Sequence, residues 1–168
     1  MRYSLCNHWE FTEQWSDAFC RGEPVSCRPV RLPHTCRELP LHYADPSDYE
    51  MVCGYRRALT VPDAPRVFLR FDGAAHQAES YLNGQLAGQH QGGYTGFTIE
   101  ITDLVHRGTE NLLAVRLDTR EDPSLPPFGF VIDYLTYGGL YREVWLETSP
   151  QSRVSDLFVY TPTLTEAA

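Results

Sequence analysis

The sequence predicts an all-β domain, a sandwich or a barrel, and three observations carry that prediction. Apolar and polar residues alternate with period two over short runs, as where Val67, Leu69 and Phe71 alternate with Phe68, Arg70 and Asp72. The runs end at closely spaced turn residues. Asn83-Gly84 is the strongest of these, because both residues tolerate the positive φ of a type I′ hairpin turn. Almost no stretch keeps the 3.6-residue period of an amphipathic helix.

The elements follow in order. Residues 28–32 and 55–61 read as strands, the second closed by Val61-Pro62, a proline compatible with a sheet edge. Residues 67–71 form the next strand, broken by Asp72-Gly73. Ala78, Ser80 and Leu82 then alternate with Glu79 and Tyr81, and residues 85–90 return after the hairpin turn until Gln91-Gly92-Gly93 stops them. Phe97, Ile99 and Ile101 alternate with Thr98 and Glu100. Residues 102–105 are expected to form one short helical turn with Thr102 as its N-cap. Beyond Arg107-Gly108-Thr109, Leu113, Val115 and Leu117 make another inward stripe. Leu140, Val144 and Leu146 make the last, with Tyr141, Glu143 and Trp145 opposite. Arg142 would share that inward face, so it is expected to pair with an acid or with backbone carbonyls, since an isolated buried charge is very costly. Two long connections, 33–52 and 119–137, are of a length that is usually functional or packed against a neighbour.

Composition narrows the function. The chain has 168 residues, enough for one domain with its own core, and a net charge of −8 that disfavours nucleic acid and anionic membranes as partners. All 14 basic residues are arginine, which excludes both a P-loop lysine and a Schiff-base lysine. The five cysteines (Cys6, Cys20, Cys27, Cys36 and Cys53) form no C-x-x-C pair and read as free thiols in a reducing compartment. The six histidines show no H-x-H or H-E-x-x-H spacing, so no metal site is expected. No apolar run is long enough to cross a membrane as a helix, and the first residues carry no signal-like apolar stretch. A cytoplasmic location is the simplest expectation.

Motifs along nearly the whole chain point further. They are Trp9-Glu10-Phe11, Leu32-Pro33-His34-Thr35, Gly54-Tyr55-Arg56-Arg57 with Val61-Pro62, and Leu69-Arg70-Phe71-Asp72-Gly73. After these come residues 78–84, Gly92-Gly93-Tyr94-Thr95, residues 111–116, and Asp133 followed by residues 138–146. In this order and spacing they resemble the N-terminal sugar-binding domain of glycoside hydrolase family 2, which includes β-galactosidases and β-glucuronidases. Ser80 departs from the pattern, which usually has a buried aliphatic residue there. The resemblance implies a jelly-roll, galactose-binding-like β-sandwich over residues 1–150, with residues 151–168 as a strand or linker toward an immunoglobulin-like domain. It further implies a TIM barrel carrying the catalytic glutamates. A TIM barrel takes about 250 residues, so this chain reads as a fragment of a larger enzyme and is expected to be inactive alone, with no catalytic residue of its own.

The resemblance also assigns a site. Asp133, seven residues ahead of Leu140, would reach toward the sugar pocket of the barrel and accept hydroxyl hydrogen bonds. In some β-galactosidases the same acid helps to hold a sodium ion; no other cofactor is implied. Without the resemblance, Asp133 reads as a loop aspartate capping a turn. Gly138 and Gly139 are expected to support it through positive φ or close packing, with Arg142 as further structural support. The loop around His42, Tyr43, Asp45 and Asp48 mixes polar and aromatic groups that suit a sugar; a plain turn at Asp45-Pro46-Ser47 explains it as well. His34 reads as a structural hydrogen-bonding residue in preference to a general base. The partner is then a carbohydrate substrate shared with the catalytic domain, in an enzyme that leaves room for a homo-oligomer. Two other readings compete: an independent carbohydrate-binding module and a purely structural or assembly domain.

Overall fold

The computed structural model describes residues 1–39, 42, 45–125 and 137–161. Two antiparallel sheets face each other. One contains β1 (Arg2–Ser4), β10 (Val144–Ser149), β5 (Arg66–Phe71) and β8 (Phe97–Glu100), in that order. The other contains β3 (Arg28–Val30), β2 (Trp9–Thr12), β4 (Val52–Thr60), β9 (Glu110–Asp118), β6 (Gln77–Leu82) and β7 (Gln85–Gln91). This is the all-β jelly-roll sandwich that the alternation and the resemblance predict. The inward stripes meet as expected: Leu69, Phe71, Val144 and Leu146 from one sheet pack in one cluster with Phe11, Tyr55, Leu113, Val115 and Leu117 from the other. Each such side chain contributes about 1.5–3 kcal/mol when fully buried.

The turn at Asn83-Gly84 has φ of 53° and 80°, the left-handed pair that a type I′ turn requires. A four-residue helix, α1 (Asp17–Cys20), which the alternation did not reveal, packs on the larger sheet against β4 and β9. Ser16 is its N-cap and accepts a hydrogen bond from the Phe19 N–H at 3.2 Å. Gly54 is needed beneath it, because a Cβ there would press on the Phe19 and Trp15 rings. The Leu32–Pro33 and Ala75–His76 peptide bonds are cis.

Two expectations are corrected. Residues 101–104 make a hydrogen-bonded turn, Leu104 N–H to Ile101 carbonyl at 2.9 Å, in place of a helical turn. Thr102 caps nothing there; its hydroxyl accepts the Val67 N–H at 3.0 Å and so ties the turn to β5. Arg142 is exposed, not inward-facing, because β10 begins only at Val144 and the backbone before it is irregular. Its guanidinium donates to the carbonyls of Asp72 and Tyr94 at 3.4 and 3.3 Å. Those are the backbone partners expected of it, reached at the surface.

Candidate functional site

The two long connections leave the sandwich side by side, and Thr119 joins them. Its backbone N–H donates to the Met51 carbonyl at 2.9 Å, and its hydroxyl accepts the Met51 N–H at 2.9 Å and lies 3.0 Å from the Tyr49 carbonyl. The end of the first connection is thereby fixed to the start of the second. Just before Thr119, the buried Asp118 receives a two-pronged bond from Arg120, at 2.9 and 2.6 Å. Burial pushes the Asp118 carboxyl up, but the Arg120 hydrogen bonds and charge outweigh it and hold the group below the usual range. The acid is thus ionised at neutral pH, paired with Arg120 at the root of the second connection.

The return of the second connection is held as firmly. The Cys36 N–H donates to the Gly138 carbonyl at 3.0 Å, and the His34 N–H to the Leu140 carbonyl at 2.9 Å. Gly139 and Ala75 exchange both backbone hydrogen bonds, each 3.1 Å. This packing needs glycine twice. A Cβ at 138 would overlap the Thr119 side chain, and one at 139, where φ is 142°, would overlap the His34 carbonyl. Beyond the glycine pair, the Tyr141 hydroxyl donates to the Gly93 carbonyl, so Tyr141 and Arg142 together pin the Gly93-Tyr94 turn.

Asp133, and with it the sodium expectation, lies outside the described residues, as does Tyr43. The structure brings together the two ends between which Asp133 falls in sequence. His42 and Asp45 are both exposed on the first connection. Asp45 precedes a second short helix, α2 (Pro46–Tyr49); its N–H donates to the Asp48 carboxylate at 2.9 Å while its carbonyl accepts the Asp48 N–H at 2.8 Å. The Asp48 side chain reaching back to the residue before the helix is half of a capping box, which accounts for the spacing of these two acids. His34 is half-buried, its ring tilted at 56° to that of Phe11 with centroids 4.9 Å apart, and its Nδ1 lies 2.9 Å from the Tyr55 hydroxyl. Burial, then the nearby Arg28 charge, pushes its pKa down, so it is a neutral, structural imidazole at pH 7. Among the described residues no group of His, Cys, Asp or Glu is placed to hold a metal ion.

Thr119, Asp118 and Arg120 were not singled out from the sequence. Their signal was the position of Asp-Thr-Arg directly after the inward stripe of β9, where a strand end meets a long loop.

Residues 29–150 match the family model described as "Glycosyl hydrolases family 2, sugar binding domain". The chain is 38% identical over 133 residues to a beta-galactosidase of Thermoanaerobacter pseudethanolicus, covering 77% of this chain and 18% of that protein. It is 36% identical over 162 residues to a beta-glucuronidase of Bacteroides fragilis, covering 94% of this chain and 22% of that protein. Among solved structures, Bacteroides uniformis beta-glucuronidase 2, covalently bound to cyclophellitol-6-carboxylate aziridine, superposes with a TM-score of 0.77 at 30% identity, over 89% of this chain and 18% of that one. The chain therefore spans about a fifth of the length of these relatives.

Proposed function

We propose that this chain, which belongs to the sugar-binding domain family of the family 2 glycosyl hydrolases, forms one wall of a carbohydrate pocket whose catalytic groups lie on another domain. In this reading the longer protein hydrolyses a β-galactoside or a β-glucuronide, as the names of its relatives suggest. Glycoside hydrolysis needs two carboxylates flanking the bond, and here those groups are supplied by the barrel. Asp133 accepts hydrogen bonds from sugar hydroxyls; an ionised carboxylate can take several, and charge-assisted bonds are the stronger kind. A cytoplasmic location belongs to the same proposal, supported by five unpaired cysteines.

The observation that carries the reading is the doubly clamped root of the second connection. Thr119 with Asp118–Arg120 fixes its start, and the Gly138–Gly139 pair, locked against His34, Cys36 and Ala75, fixes its return. A loop with both ends held this way can present an acid at a reproducible position, which substrate recognition requires.

The test is to assay the purified chain on aryl β-galactosides and aryl β-glucuronides, and to titrate it with galactose and glucuronate by calorimetry. The expected result is no turnover, with sugar binding weaker than about 1 mM. Turnover that disappears when an acid of this chain is mutated would overturn the proposal. Tight sugar binding by the chain alone would favour an independent carbohydrate-binding module instead.

A further inference from the structure

We propose that Cys36 and Cys53 form an oxidisable dithiol, which a hydroperoxide converts into a disulfide that pins the first connection at its base. The two sulfurs lie 3.2 Å apart, and the residues are 1% and 0% exposed. Cys53 sits on β4, where its Sγ lies 3.6 Å from the Leu117 carbonyl. Cys36 belongs to the irregular segment that hydrogen-bonds to Gly138. Between them in sequence run residues 37–52, with His42 and Asp45. The 3.2 Å between the sulfurs must shorten to about 2.05 Å for a disulfide to form. The other cysteines, Cys6, Cys20 and Cys27, are also free thiols.

The surroundings of the pair suit the chemistry. The Cys36 Sγ lies 3.6 Å from the Tyr55 hydroxyl, which in turn lies 2.9 Å from His34 Nδ1. This hydrogen-bonded chain links the buried thiol, through the Tyr55 hydroxyl, to the half-buried, neutral imidazole. His34 and Cys36 both line an open concavity of about 580 Å³, but Cys36 is only 1% exposed, so a peroxide reaches its thiol when the segment that carries Cys36 opens locally. The two thiols are also unequal. The hydrogen bond from Cys53 holds the Cys36 thiol below its usual range against the opposing effect of burial, whereas burial pushes Cys53 well up.

Cys36, as thiolate, attacks one peroxide oxygen; the O–O bond breaks, the second oxygen leaves as water or alcohol with the proton, and Cys36 becomes a sulfenic acid. The Cys53 sulfur then attacks the Cys36 sulfur, displacing the sulfenic oxygen as water and forming the S–S bond. Overall two thiols lose two electrons and two protons, and the peroxide is reduced. A disulfide of this kind is reversible, as is usual where thiols are otherwise kept reduced.

The experiment treats the purified, reduced chain with hydrogen peroxide, alkylates it under denaturing conditions and maps its peptides by mass spectrometry. The expected result is a loss of two free thiols and a Cys36–Cys53 cross-linked peptide pair that dithiothreitol removes. In Cys53→Ser, dimedone is expected to label Cys36. If that variant does not fold, the mapping of the unmutated chain decides alone. Retention of all thiols, a cross-link between other cysteines, or Cys36 over-oxidised without a cross-link would overturn the proposal.

Discussion

Gly138 packs so closely on Thr119 that any side chain at 138 would overlap the threonine Cβ and Cγ2. The same threonine ties the two long connections together through Tyr49 and Met51. A glycine in one loop and a hydroxyl in the other therefore make a single joint at the end of the sandwich where the proposed pocket lies.

That joint should be intolerant of bulk. Gly138→Ala is expected to destabilise the chain by about 1–3 kcal/mol, the range for overpacking a filled site. For a domain of this size each kcal/mol lowers Tm by roughly 2–4 °C. Gly139→Ala should cost at least as much, because its φ of 142° and the His34 carbonyl both oppose a Cβ. Urea denaturation measures both; an unchanged midpoint for either variant would show that the joint is looser than described.

Arg56 should be irreplaceable by lysine. Its side chain is 10% exposed, its Nε donates to Glu10 at 2.7 Å, and its Nη1 donates to the carbonyls of Phe19 and Glu23 at 3.1 and 2.9 Å. It also lies 4.5 Å from the Phe19 ring centroid. A planar fork satisfies these partners together; a single ammonium cannot. Arg56→Ala and Arg56→Lys are each expected to lose about 2–3 kcal/mol in chemical denaturation, from buried carbonyls left without donors. Full stability in Arg56→Lys would contradict this.

Stability should fall at low pH through Glu100. Hydrogen bonds from Arg66, then from Thr102, hold its carboxyl at about 2, against 4.5 for an unperturbed glutamate. Between those values the unfolded chain binds more protons than the folded one. The stabilising contribution is therefore complete above about 4.5 and is lost as pH falls through about 2. Glu100→Gln is expected to lower stability at neutral pH and to flatten the acid limb of the stability profile. Parallel pH profiles for the two proteins would rule this contribution out.

Legibility in the sequence followed backbone regularity. The strands β5, β6, β8 and β9 were readable because alternate residues along them face the core, and β7, an edge strand with no buried residue, was readable only as the return strand after the Asn83-Gly84 turn. β1 was not: all three of its residues are exposed, so burial left no pattern in them. α1 was not, since four residues hold too little of a helical period; its Ser16 cap was the only local sign. Arg142 was misplaced because the alternation through Leu140, Val144 and Leu146 was extended across residues that are not paired. The backbone there is instead held by the Asp72 N–H to the Glu143 carbonyl at 3.0 Å and by the glycine pair. The site was legible as two long loops and a Gly-Gly pair. The joint at Thr119 was not, because it rests on contacts between residues far apart in sequence.

In the proposed function this domain contacts substrate while another domain performs the chemistry. The direct measurement is kcat/KM of the longer enzyme on its natural glycoside, with and without Asp133→Ala, the fold of each being checked by circular dichroism and thermal unfolding. Loss of charge-assisted bonds worth about 1.5–3 kcal/mol predicts a fall of roughly 10- to 150-fold, with an unchanged fold. An unaltered kcat/KM would remove Asp133 from the pocket and contradict the assignment of this chain as its wall.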